Sequence, residues 1–194
     1  LIIYSCFIMS VSLQAQEHFA DRYNVSYITM DDGLPHNFID DIYKDTRGFL
    51  WISTAGGGLS RYDGYEFIHF NPNTPHSKLK SNFIHNVYED RFHRLWIVSE
   101  GGTDIIDLST LQSVIPNDPK GLLPRFINHP TYIVILDSQG CIWLQCDNAL
   151  HRITFDAEGG IDTLSTLDLP EQDEPDLILK DIDEDGKIWT GING

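Results

Sequence analysis

Asp45-Thr46-Arg47-Gly48-Phe49-Leu50-Trp51-Ile52 carries an acid, a glycine and a tryptophan at offsets that return three more times. Trp96, Trp143 and Trp189 follow at gaps of 45, 47 and 46 residues, and with Trp51 they are all the tryptophans of the chain. Asp90, Asp137 and Asp183 stand six residues before their tryptophans, as Asp45 does. Three before the tryptophan stands Gly48, His93, Gly140 or Gly186, and one before it Leu50, Leu95, Ile142 or Ile188. A period near 46 fits paired-helix solenoids or propeller blades. Asp-x-x-Gly between apolar runs is hairpin chemistry: the Asp side chain caps the turn and Gly supplies positive φ. His93, which replaces that glycine, is among the residue types enriched at positive φ.

Outward from the turn, 49–52 and 95–98 are apolar on successive positions, as in a strand buried on both faces. Upstream lie Ile42-Tyr43, Val87-Tyr88 and Val134-Ile135; the fourth copy has Lys180-Asp181 there, which predicts a shifted or bulged strand. In the first copy, strands are expected over 38–44, 49–54, 58–62 and 65–70, with a turn at Asp63-Gly64. No helical periodicity of useful length competes. The expected fold is an all-β propeller of four-stranded blades, in which each sheet is sandwiched between two others. Residues 17–194 supply about three and a half blades, centred on the four tryptophans. Asp45, Gly48, Trp51, Asp90, Trp96, Asp137, Gly140, Trp143, Asp183, Gly186 and Trp189 are read as structural. A residue present in every blade serves the blade, whereas a ligand site breaks the repeat.

The 29 acidic against 13 basic residues give a net charge of −16. Such a surface repels phosphate backbones, so no direct nucleic-acid partner is expected. Residues 1–16 carry no charge, and the apolar run to Leu13 followed by Gln14-Ala15-Gln16 reads as a signal peptide that has lost its basic start. A transmembrane helix needs about 20 apolar residues. The final repeat breaks off at Gly194, so the chain is read as truncated at both ends. Expressed in that form, it should be poorly soluble or oligomeric. Cys141 and Cys146 are too far apart on one strand to form a disulfide and are read as small buried residues.

Asp32-Gly33-Leu34-Pro35-His36-Asn37-Phe38-Ile39, the Asp45–Thr54 segment and Gly58-Leu59-Ser60-Arg61-Tyr62-Asp63-Gly64 resemble the two-component regulator propeller repeat. The likeness is close in the first copy, good in the second, and looser in the third and fourth. The resemblance implies a ring of seven blades in the periplasmic sensor region of a hybrid two-component histidine kinase. In that family, two propellers precede an immunoglobulin-like domain, a membrane helix, a kinase, a receiver and a DNA-binding output domain. It also implies inner-membrane anchoring of the whole protein and an oligo- or polysaccharide ligand. Further partners would be the remaining blades and downstream domains, with a homodimer as a candidate assembly. Residues 23–29 are expected to be the strand that completes the last blade of the closed ring. This segment itself is expected to be non-catalytic, with no cofactor and no metal.

Two other readings stay open: a secreted propeller enzyme of the streptogramin-lyase-like type, and a protein-binding propeller scaffold. Asp181-x-Asp183-x-Asp185-Gly186 begins like an EF-hand, but Ile192 stands where the bidentate Glu is required. The sialidase Asp-box has different offsets, and the WD-repeat signatures are absent. Recognition is expected where blades differ: Glu100, Asp147 and Asn193, four residues after their tryptophans, then His76, Lys78 and the 116–130 insert. Tyr65 and Tyr132 are candidate aromatic platforms for a sugar. No ligand residue follows from the sequence with certainty of place, and none is carried over from the family.

Overall fold

Each Asp-x-x-Gly stretch closes a tight hairpin. The Asp45 carboxylate accepts hydrogen bonds through Oδ1 from Arg47 N (3.0 Å) and Phe49 N (2.9 Å), while Gly48 turns at φ 92°. Asp90, Asp137 and Asp183 repeat this pattern, and His93 sits at φ 58° in place of glycine. The computed structural model describes residues 26–75, 78–146, 149–169 and 177–192. The signal segment 1–16 lies outside them.

The hairpins build three antiparallel four-stranded sheets and a two-stranded one, each with strands in chain order. The first holds β1 (Ile39–Lys44), β2 (Leu50–Thr54), β3 (Gly58–Tyr62) and β4 (Phe67–Phe70). The second holds β5 (Ile84–Glu89), β6 (Arg94–Ser99), β7 (Gly102–Asp107) and β8 (Gln112–Ser113). The third holds β9 (Thr131–Leu136), β10 (Ile142–Cys146), β11 (Ala149–Phe155) and β12 (Ile161–Asp168). β13 (Leu177–Ile182) and β14 (Ile188–Ile192) form the fourth. The leading strands β1, β5, β9 and β13 touch in succession, so they line the hub of a propeller.

The apolar core lies between sheets. Trp51, Leu59 and Phe70 of the first blade pack on Ile84, Val87, Leu95 and Ile97 of the second. Trp96, Val98 and Ile105 pack in turn on Val134, Ile142 and Leu144 of the third, and Trp143 joins Leu179 and Ile182 of the fourth. Trp51, Trp96 and Trp143 thus each face the following blade. Trp189 has no following sheet among the described residues and is 57% exposed. Cys141 and Cys146 are buried and unbridged, as read from the sequence.

The fourth copy is bulged, and so are the other three. An extra residue interrupts the β1–β2, β5–β6 and β10–β9 ladders at Asp40, His85 and Tyr132, each eleven positions before its tryptophan. In the fourth blade the extra residue is Lys180, two positions later, which explains why its sequence departed from the pattern. One expectation needs correction, and another meets no partner: of the expected strand 23–29, residues 23–25 lie outside the described residues, and 26–29 have no strand beside them among those described. Thr29 instead caps a 3₁₀ turn at Met30–Asp32, with Asp32 accepting from Thr29 N at 2.8 Å. The last strand of the first blade starts at Phe67, because Asp63 Oδ1 accepts from both Tyr65 N and Glu66 N and holds them in the turn.

Candidate functional site

Antiparallel blades present two faces. The Asp-x-x-Gly turns and the β3–β4, β7–β8 and β11–β12 turns lie on one; the β2–β3 type turns and the blade-to-blade connections lie on the other. The repeated residues serve the first face. The oxygen of each Asp that does not cap the turn takes the indole N–H of its own tryptophan, at 2.8 Å for Asp45, Asp90 and Asp137 and 3.1 Å for Asp183. That second bond is what fixes the six-residue spacing. Burial alone would push the Asp137 carboxyl up, but the Trp143 indole, Cys141 N and Arg152 bring it below the usual range.

Neighbouring blades are tied on this face by buried and half-buried polar contacts. Arg47 Nη1 donates to Leu108 O, Arg91 Nη2 to Phe155 O (3.1 Å) and Arg94 Nη1 to Gly159 O (2.6 Å). Glu89 reaches back to the first blade, accepting from Thr46 N and Thr46 Oγ1 at 2.7 Å each, and lies 2.8 Å from His93 Nδ1. Burial pushes the Glu89 carboxyl up, yet these donors outweigh it and hold it below its ordinary value. Its stabilising effect is therefore present above the unfolded value, about 4.3, and lost as pH falls through the lower folded value. Glu89→Gln should cost about 1–2 kcal/mol at neutral pH, and the gap from the parent should close below about pH 4. Urea midpoints at both pH values check this; a gap that persists in acid would count against it.

The Thr46–Glu89–His93 group is no nucleophile relay. Thr46 Oγ1 and Glu89 Oε1 both approach His93 Nδ1, at 3.4 and 2.8 Å, whereas a relay engages opposite ring nitrogens. Among the described residues no cluster of three ligating side chains is placed to hold a metal.

At the hub, side chains of one leading strand take the backbone of the next. Asp41 Oδ2 accepts from Val87 N and Asn86 Nδ2, both at 3.1 Å, and Asn86 Oδ1 accepts from Val134 N at 2.9 Å. In the third blade Ile133 occupies the equivalent position. Gln145 on β10 takes over, accepting from Leu179 N at 2.8 Å. Burial holds the Asp41 carboxyl above its ordinary value despite these donors. A raised carboxyl costs stability as pH rises through and beyond the unfolded value. Asp41→Asn keeps the acceptor and removes the charge, as Asn86 already does one blade on. Its urea midpoint at pH 7 should equal or exceed the parent's, with the advantage shrinking toward pH 4; a clear destabilisation at pH 7 would refute this.

Two of the positions where blades differ lie on the second face. Glu100 is exposed in the β6–β7 turn, and Lys78 is exposed in the connection to β5. His76, Asp147 and Asn193 lie outside the described residues. The 116–130 insert follows the two-residue β8, and Leu123, just before the short helix α1 (Pro124–Ile127), and Ile127, its last residue, pack into the core between the second and third blades. Tyr65 falls on the opposite face, 91% exposed. Tyr132 falls at the hub, in the β9 bulge, its ring centroid 5.6 Å from that of His85. Sequence reasoning did not find His85 or Phe83. The signal for His85 was the contrast of Asp40, His85 and Tyr132 at one repeat position, whereas Phe83 repeats Phe38 and carried none.

The profile of the two-component regulator propeller family matches residues 33–56 and 78–101, each from the approach to the hub strand through the tryptophan strand. In each of the first two blades, the hub strand and the tryptophan strand match the two-component regulator propeller repeat. The extracellular domain of a B. thetaiotaomicron protein carries similar blades. One structure assigns it to a one-component system and another to a hybrid two-component system. It is 26% and 25% identical in the two, over 83% of this chain, with a TM-score of 0.55 in each. A second extracellular domain from that organism, assigned to a hybrid two-component system, is 20% identical over 86% of this chain at a TM-score of 0.58 and shares the fold. A streptogramin B lyase, 16% identical over 83% of this chain at a TM-score of 0.56, also shares the fold and nothing further. The chain spans 22%, 29% and 50% of these three proteins' own lengths. No curated protein sequence matches it.

Proposed function

We propose that these two-component regulator propeller blades belong to the extracytoplasmic sensor of a membrane-anchored hybrid two-component protein, and that the sensor responds to an oligo- or polysaccharide. The observation that carries the reading is the pair of matched repeats, in a chain 26% identical to an extracellular domain of a signalling protein. Chemistry on the page supports a binding role over a bond-breaking one. The buried acids are engaged by indole and backbone donors, and the His93–Glu89 imidazole–carboxylate pair lacks a relay. The face that varies between blades carries exposed aromatic and polar side chains, as a recognition rim does. The kinase chemistry belongs to segments beyond this chain.

The test is phosphorylation. Membranes holding the full-length protein, supplied with labelled ATP, should incorporate phosphate on histidine and change that rate when a plant or host polysaccharide digest is added. A full-length protein that incorporates none, or whose rate ignores every digest, removes the kinase or the glycan half of the reading respectively.

A further inference from the structure

We propose that the hub mouth on the connecting face, where the bulged residues His85 and Tyr132 of adjacent blades meet, is a subsite for an uncharged sugar ring. The proposal rests on the sensing reading above and names its site and ligand class. A β-bulge re-aims one side chain and is common beside binding sites. Here the bulge recurs at one place in three blades, yet the re-aimed residue is Asp40, then His85, then Tyr132. The flanking positions repeat; this one does not.

The chemistry at that point is two-sided. Tyr132 is 45% exposed and Phe83, two residues before His85, is 53% exposed, so apolar ring faces meet solvent beside the hub. The Phe83 ring lies against the Gly56 turn of the first blade, which holds it on this face. Polar groups stand beside these rings: Asp40 is exposed and His85 half-buried. A sugar ring offers the complement to both, with an apolar C–H face for an aromatic ring and hydroxyl groups for polar side chains at the rim.

Charge narrows the class. Asp40 is exposed in the same ring of bulged residues, and the Asp41 carboxyl lies beside it on the hub strand. Lys180, the cation at the fourth bulge, lies back over Gly191 of its own sheet. At the bulge positions, a uronate or sulfated ring would meet Asp40 with Lys180 turned away, and the exposed Lys78 of this face stands seven residues before His85 in the connection ahead of β5. A neutral hexose or pentose ring meets no such opposition.

The experiment uses the complete extracytoplasmic portion of the protein and four uncharged hexasaccharides (xylohexaose, mannohexaose, cellohexaose and arabinohexaose), with a heparin hexasaccharide as the anionic arm. Binding is read by titration calorimetry for the parent, Tyr132→Ala, His85→Gln and the opposite-face control Tyr65→Ala. The expected result is binding of an uncharged hexasaccharide that weakens about tenfold in Tyr132→Ala and His85→Gln and is unchanged in Tyr65→Ala. His85→Gln retains hydrogen-bonding capacity and guards against a folding artefact, as do melting temperatures for all variants. Uncharged binding that both hub variants leave intact overturns the subsite but not the sensing reading. Binding of heparin alone overturns the ligand class. No binding up to about 10 mM, the weak end of specific association, overturns the proposal; the sensing reading then fails too only if the membrane phosphorylation assay is also unresponsive.

Discussion

Asp90→Ala should lower stability by about 3–5 kcal/mol, enough to leave much of the protein unfolded at physiological temperature. Four donors converge on this one carboxylate. Oδ1 takes Phe92 N at 2.9 Å and Arg94 N at 3.1 Å; Oδ2 takes the Trp96 indole at 2.8 Å and Arg94 Nε at 2.7 Å. Asp90, Arg94 and Trp96 are all buried. Removing the acid strands a guanidinium charge and an indole N–H away from water, and releases the turn. Breaking a buried pair by deleting one partner is costly for that reason. Asp183→Ala, whose hook on Trp189 is exposed, should cost about 1 kcal/mol or less. Urea melts of both variants decide the matter; equal losses would mean that the hook, and not the buried charge, carries the energy.

Gly102→Ala should cost about 2–4 kcal/mol for a different reason. Gly102 opens β7 at φ 114°, where L side chains rarely go, and an added Cβ would press on the Ile127 carbonyl at the end of α1. Both partners are backbone, so neither can swing aside. Gly64, at φ 102° in the β3–β4 turn, has open space around its Cβ position. Gly64→Ala therefore carries the backbone strain without the collision and should cost about 1 kcal/mol. The difference between the two melts isolates the close approach of the insert to the second blade. If they matched, the insert would contribute nothing to that strand.

Much of the fold was readable because four copies of one turn cannot agree by accident. Asp45, Gly48 and Trp51 gave the hairpin, and runs such as 95–98 gave burial on both faces. The sequence reading assigned Asp only its turn-capping oxygen. The bond from the other oxygen to Trp Nε1 was implied by the invariant spacing but needs three-dimensional geometry to state. The hub was less legible. Asp40, His85 and Tyr132 are eleven positions before their tryptophans, yet nothing in one-dimensional pattern distinguishes a bulge from an ordinary strand residue. The 116–130 insert stood out in the sequence only as a difference between blades. Its packing role was not legible there: Leu123 and Ile127 supply packing beside a two-residue β8. Chain length alone does not separate a loop that binds from one that fills.

The contacts that join Asp41, Asn86 and Gln145 to the next blade's backbone also close a vulnerability common to open sheets. A leading strand is a sheet edge, and its outward N–H groups invite any stray strand to add on. Val87 N, Val134 N and Leu179 N are each already occupied by a neighbour's side chain. The outer rims are guarded by other means: β8 stops after two residues, and β12 intersperses Asp162, Thr163, Ser165, Thr166 and Asp168 among its apolar residues. Blades guarded at the hub and at the rim in this way are kept from zipping edge to edge into aggregates.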